Sequence, residues 1–128
     1  MITVLKQNHV PANKIPTTGQ DASLGGVENI LTGYQCGTVY KPIWAEAQDA
    51  VALATILRAG LTPPTALLNG STSPASGKPG NTQPASLLVP LWVDKSKVAS
   101  TVIADKVIDK TVLCQAVGAS VCSANGIS

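Results

Sequence analysis

Two charged side chains stand where short strand-like stretches stop. Thr18-Gly19-Gln20 runs into Asp21, and Thr38-Val39-Tyr40 runs into Lys41. Each stretch reads as a strand that ends at the charged residue, with a helix beginning at once. In an open α/β sheet, ligands sit in the crevice outside the carboxyl ends of the strands. A carboxylate offers only acceptors there, and an ammonium offers up to three donors. At neighbouring strand tips such a pair suits a small polyhydroxylated ligand. Taken alone, Asp21 also reads as a helix cap and Lys41 as a solvated strand-end lysine. Gln20 can both donate and accept, either toward a ligand or as a bridge between the strand tips. Trp44 and Trp92 are able to stack on a sugar ring. Their places on an apolar helix stripe and in an apolar strand assign them to core packing. Tyr40 alternates to the strand face opposite Lys41 and is likewise read as packing.

The elements that must hold this pair are short. Thr3–Asn8 reads as a helix tail and Ile15–Gly19 as a strand, with Pro16 at its start or edge. Asp21 precedes a helix whose apolar stripe is Leu24, Val27, Ile30 and Leu31, and Gly33 suits the position just past its end. Tyr34–Tyr40 reads as the next strand. Pro42 opens the longest helix, where its missing N–H costs nothing. Its expected buried side is Trp44, Ala47, Val51, Ala54, Leu57 and Leu61, and Gly60 stops it. Pro63–Pro84, rich in Gly, Ser, Thr and Pro, reads as a long loop, with a short strand around Ala66–Leu68. Leu87–Val93 is the last strand, kept from a fully paired central position by Pro90. Val98–Ile108 is expected to be a short helix or irregular. Gly118–Ser128 is expected to be loosely ordered unless a disulfide pins it.

Composition narrows the classes. A chain of 128 residues has room for one domain. Hydrophobic residues make up 45% of it, but aromatics are only 3% and phenylalanine is absent. Alanine buries little area, so the available core is thin. Charged residues are 12%, about half the usual share, which points to surface covered by another chain segment or to a Ser/Thr/Gly-rich extracellular surface. The net charge of +2 is too small, and the lysines too scattered, for a nucleic-acid partner. No window approaches a membrane span, and Met1–Lys6 shows no export signal. Cys114 and Cys122 lie close enough in sequence for a disulfide in an exported protein; unpaired thiols are the alternative. Cys36 would be left as a small apolar strand residue. The cysteine spacings and the lone His9 do not make a zinc site. No Ser–His or Cys–His pairing, second carboxylate or metal spacing supports an enzyme using Asp21 and Lys41 as acid and base.

The segments TGQDASLGGVENILTG and TVYKPI, with LLVPLWV and TVIAD further on, resemble the C-terminal part of the solute-binding proteins of bacterial monosaccharide ABC importers, in the xylose and multiple-sugar-binding branch. The resemblance implies an α/β fold: a partial three-layer αβα lobe of the type I periplasmic-binding fold, with mostly parallel strands, incomplete relative to a two-lobe family. It implies that the chain crosses between lobes after TVYKP and returns near Pro84–Val93. Residues 1–41 and 85–128 would then belong to the C-terminal lobe, and the helix and loop of 42–84 would pack on the other. The Asp of GQD is a sugar ligand in such proteins, so the resemblance implies Asp21 as a ligand; with TVYKPI intact around Lys41 it favours the ligand role there too, with Gln20 second to them. The rest of such a site comes from earlier in those proteins. The implied function is non-enzymatic, cofactor-free binding of a pentose or hexose by half a site. The implied partners are the missing N-terminal lobe or a second copy, and an ABC permease, outside the cytoplasm. A structural, oligomerising module with no ligand of its own is the alternative. Gly37 departs from the larger residue expected in the relatives and is expected to loosen the strand before Lys41.

Overall fold

In chain order the elements are α1 (Ile2–Gln7), β1 (Thr18–Gln20), α2 (Leu24–Leu31), β2 (Gly37–Tyr40), α3 (Ile43–Arg58), β3 (Gly70–Ser71), β4 (Pro84–Ala85), β5 (Leu91–Asp94), a π-helical stretch (Ala99–Ile103), α4 (Lys110–Val117) and α5 (Ala119–Ala124). They come from a computed structural model that describes residues 1–73, 80 and 82–127. The centre of the loop expected over Pro63–Pro84, Pro74 to Pro79 and Asn81, lies outside the described residues. The chain divides into two units, residues 1–41 with 90–128 and residues 42–89.

The first unit is built on a three-stranded sheet of order β1-β2-β5. β1 and β2 are parallel, with Thr18 beside Gly37 and Gln20 beside Val39. β2 and β5 are antiparallel, with Val39 opposite Trp92. The strands are therefore mixed rather than mostly parallel. β5 begins immediately after Pro90 and lies at an edge, where the proline's missing donor leaves no gap in the ladder. Strand alternation buries Thr38, Tyr40 and Val93 on one face and leaves Gln20 and Trp92 exposed on the other. Trp92 is thus not a core residue. Its indole lies across Gly37, where an added Cβ would come within 2.4 Å of the ring. The glycine makes room for the ring, and the strand is covered at that point instead of loosened.

Helix α2 starts and stops for local reasons. Ser23, not Asp21, is its N-cap, and the Ser23 hydroxyl accepts from the Gly26 amide at 3.3 Å. At the other end Gly33 takes φ +81°. Its N–H bonds Ile30 O, and the Tyr34 N–H bonds Asn29 O, a Schellman closure. Between these stops Val27, Ile30 and Leu31 are fully buried, at the spacing of one helix face. They meet Leu113 of α4 together with Val93, Val98 and Val102 in a single core cluster. Each such side chain contributes roughly 1.5–3 kcal/mol on burial.

In the C-terminal tail the disulfide on which its order was expected to depend is formed, and Ala119–Ala124 is helical. Asp109 caps α4 through the Thr111 and Val112 amides. Cys114 and Cys122 are disulfide-bonded, joining α4 to α5 across a sequence separation of eight. Closing so short a loop removes about 2.5 kcal/mol of chain entropy from the unfolded state. Cys36 is a free, exposed thiol, not a packed strand residue. β2 begins one residue later, and only the Cys36 backbone is tied in, its N–H bonding Thr17 O at 2.8 Å.

The second unit consists of α3 and the two-stranded β3–β4 ribbon. None of its described residues is buried. The expected buried side of α3 is exposed instead, with Trp44 at 76% and Val51 and Leu57 likewise open. The half-buried residues of α3 are Ala45, Asp49, Ala52, Leu53 and Ile56, and Asp49 accepts a hydrogen bond from the Ser86 hydroxyl. Apolar spacing selects a face for burial only where another element is available to cover it. The strand expected at Ala66–Leu68 is a turn, and the ribbon strand begins at Gly70.

Candidate functional site

Because β1 and β2 are parallel neighbours in register, their carboxyl ends finish side by side. Asp21 follows one strand and Lys41 the other. Lys41 Nζ lies 2.7 Å from Asp21 Oδ1, with the side chains 35% and 62% exposed respectively. The pair is therefore a solvent-accessible ion pair, worth about 0–1 kcal/mol to folding. Its groups remain open to solvent and to hydrogen-bonding partners. With Ser23 serving as the cap, neither Asp21 oxygen is committed to the helix. Gln20 ends β1 with its side chain exposed. It does not bridge the strand tips, since the tips are joined by the ion pair.

Beneath the pair, the strands are held by buried polar contacts that residue type alone did not reveal. The Thr38 hydroxyl accepts from the Ala22 amide at 3.3 Å. The Tyr40 hydroxyl donates to Asp105 Oδ2 at 2.8 Å, tying the end of β2 to the stretch that follows the π-helical turn. Burial, followed by the Asp105 carboxylate, raises the Tyr40 phenol above its ordinary value of 10.0. The folded state therefore favours the neutral phenol. The Tyr40–Asp105 contribution is complete below about pH 10, where the unfolded phenol is also neutral, and it is lost as pH rises through the folded value. Tyr40→Phe should cost about 1.5 kcal/mol at neutral pH. Urea midpoints followed from neutral to about pH 11 should converge for the two proteins. Parallel midpoints across that range would show that the bond does not contribute.

Two surface aspartates are shifted the other way. The Ser96 hydroxyl holds Asp94 below its ordinary 3.8. The Val112 and Thr111 amides do the same for Asp109. Asp109 shares with Asp21 a hollow of ≈ 290 Å³, walled by Leu24, Val107, Ile108 and Val112. That is near the lower limit of small-molecule pockets, roughly 300–1,000 Å³. A hollow of ≈ 390 Å³ on α3, around Trp44, Ala47 and Val51, carries no charged group that matches sugar hydroxyls. Among the described residues no cluster of three or more His, Cys, Asp or Glu is placed to hold a metal, and no helix is long and apolar enough to cross a membrane.

Of the predicted site residues, the structure brings Asp21 and Lys41 together and leaves Gln20 beside them. Sequence reading missed Thr38, and it missed the Tyr40–Asp105 bond, which joins residues 65 positions apart. A signal for Ser23 was available: a hydroxyl residue directly before the first apolar position of a helix is the common N-cap.

No protein-family model matches the chain. The chain is 38% identical over 96 residues to the D-xylose-binding periplasmic protein of Escherichia coli, covering 73% of this chain and 26% of that protein. The D-xylose-binding periplasmic protein of Haemophilus influenzae is 36% identical over 96 residues, with the same 73% and 26% coverage. The chain thus spans about a quarter of the length of the curated relatives it matches. The likeness extends over most of the chain, and what it matches is a part of those D-xylose-binding periplasmic proteins.

Proposed function

We propose that this chain, a relative of part of the D-xylose-binding periplasmic proteins, supplies half of a monosaccharide site in the receptor of an ABC sugar importer and does no chemistry on the sugar. The observation that carries this reading is the 2.7 Å Asp21–Lys41 pair at two parallel strand tips. A sugar hydroxyl both donates and accepts. It can donate a hydrogen bond to an Asp21 oxygen and accept one from Lys41, inserting into the pair without leaving a charge unpaired. Gln20 lies within the same strand end as a further contact.

The division of the chain supports the two-lobe part of the proposal. Residues 1–41 and 90–128, within the expected 1–41 and 85–128, hold the entire buried core cluster and are assigned to the C-terminal lobe. Residues 42–89 have no buried residue among those described, and the expected 42–84 segment within them is assigned to pack on the other lobe. The exposed sheet face with Gln20 and Trp92 would receive the third layer from the rest of such a receptor. In that setting the partners are the missing lobe and an ABC permease, outside the cytoplasm.

The energetics set the expected strength. Two charge-assisted contacts give roughly 3–6 kcal/mol gross, and association costs at least about 4 kcal/mol. The chain alone should therefore bind at millimolar strength or weaker. The test is an NMR titration of the chain with xylose, glucose, galactose and arabinose. Weak saturable shifts confined to the two strand tips are expected for at least one sugar. Micromolar binding would overturn the half-site, and unmoved Asp21 and Lys41 resonances at the solubility limit of all four would overturn the sugar reading.

A further inference from the structure

We infer that Thr38 is a positioning residue of the sugar site: through the Ala22 amide, its hydroxyl holds the left-handed Asp21–Ala22 turn that aims the Asp21 carboxylate at Lys41. The site's role rests on the sugar-binding reading, but the clamp itself does not.

Asp21 and Ala22 are consecutive non-glycine residues with positive φ, +67° and +45°. Aspartate tolerates the left-handed region, because its short polar side chain can bond locally. Alanine has no such compensation, so Ala22 is the informative outlier. Such a conformation persists only where its surroundings over-determine it, and such residues cluster at functional sites. Two contacts do so here. The Ala22 methyl is packed in the core at 1% exposure, and the Ala22 N–H donates to the Thr38 hydroxyl at 3.3 Å. Thr38 is itself buried and sits on β2 beside Gly19 of β1. Lys41 follows the same strand β2. One strand thus fixes the ammonium directly and the carboxylate through the clamp. Without the turn, the chain leaving β1 would not be held to the path that brings Asp21 over the neighbouring tip.

Thr38→Val keeps the branched shape and removes the acceptor; Thr38→Ser keeps the acceptor. The primary readout is the Lys41 ammonium resonance, calibrated with Asp21→Asn, in which the pair is broken. Thr38→Val should move that resonance toward the Asp21→Asn position and weaken xylose binding roughly tenfold, about one hydrogen bond. Thr38→Ser should restore both, which a merely space-filling role would not require. An unmoved Lys41 resonance in a folded Thr38→Val protein overturns the assignment. Should that variant not fold, hydrogen exchange at the Ala22 amide of the unaltered protein decides. Protection at the level of the core strands is expected, and exchange as fast as an open turn overturns the clamp. A resonance that moves in a protein that answers to no sugar upholds the clamp and sinks the carbohydrate reading instead.

Discussion

An Asp21→Asn variant should bind xylose roughly 10- to 150-fold more weakly than the parent chain, the equivalent of one charge-assisted hydrogen bond. Its stability should stay within about 1 kcal/mol of the parent, since an exposed ion pair contributes no more than that. Asparagine is the informative replacement because it also accepts the φ of +67° found at this position. The substitution therefore removes charge without disturbing the turn. With the parent already weak, the variant's NMR shift curve should be linear in sugar concentration where the parent's bends. Urea unfolding of the same samples supplies the second half of the result. Unchanged binding would remove Asp21 from the site. A loss of several kcal/mol would show that the carboxylate serves the fold, which the Ser23 cap argues against.

The second large effect lies in the core. Leu113 is fully buried in the cluster it shares with Val27, Ile30 and Leu31. Leu113→Ala should cost about 2–5 kcal/mol through lost transfer energy and the cavity left behind. For a domain whose total stability is of the order of 5–15 kcal/mol, that is a severe loss. Trp44→Ala is the matched control. Tryptophan is the larger side chain, yet at 76% exposure its removal should change stability by no more than about 0.5 kcal/mol. Urea midpoints of the two variants measure the contrast directly. Equal losses would mean that α3 is packed in this chain as firmly as α4. A large loss at Leu113 alone agrees with a core confined to the first unit.

The same contrast shows where reading the sequence succeeded and where it did not. The stripe Leu24, Val27, Ile30 and Leu31 was legible because the residues lie within two helical turns, and Val27, Ile30 and Leu31 are fully buried. The stripe through Trp44, Val51 and Leu57 was equally legible as a pattern. It is nevertheless exposed, because periodicity reports which side of a helix is apolar and not whether anything covers it. Gly37 illustrates the reverse. Alone it reads as a weak point in a strand, but the cross-strand Trp92 ring fills the space its missing side chain leaves. Pairing of β2 with an antiparallel β5 had no local sign either, since strand direction is fixed by the path of the chain between the strands.

What residue order decided by itself was local: strands running into Asp21 and Lys41, the glycine that ends α2, and a helix beginning directly after Pro42. These follow from backbone sterics and from spacings of a few residues. What tertiary structure decided was adjacency. Parallel pairing of β1 with β2 set a carboxylate and an ammonium, twenty positions apart in sequence, 2.7 Å from each other. Topology likewise put Thr38 beneath Ala22 and Asp105 beside Tyr40. Such contacts depend on which distant segments the fold brings side by side, and no short-range pattern carries that information.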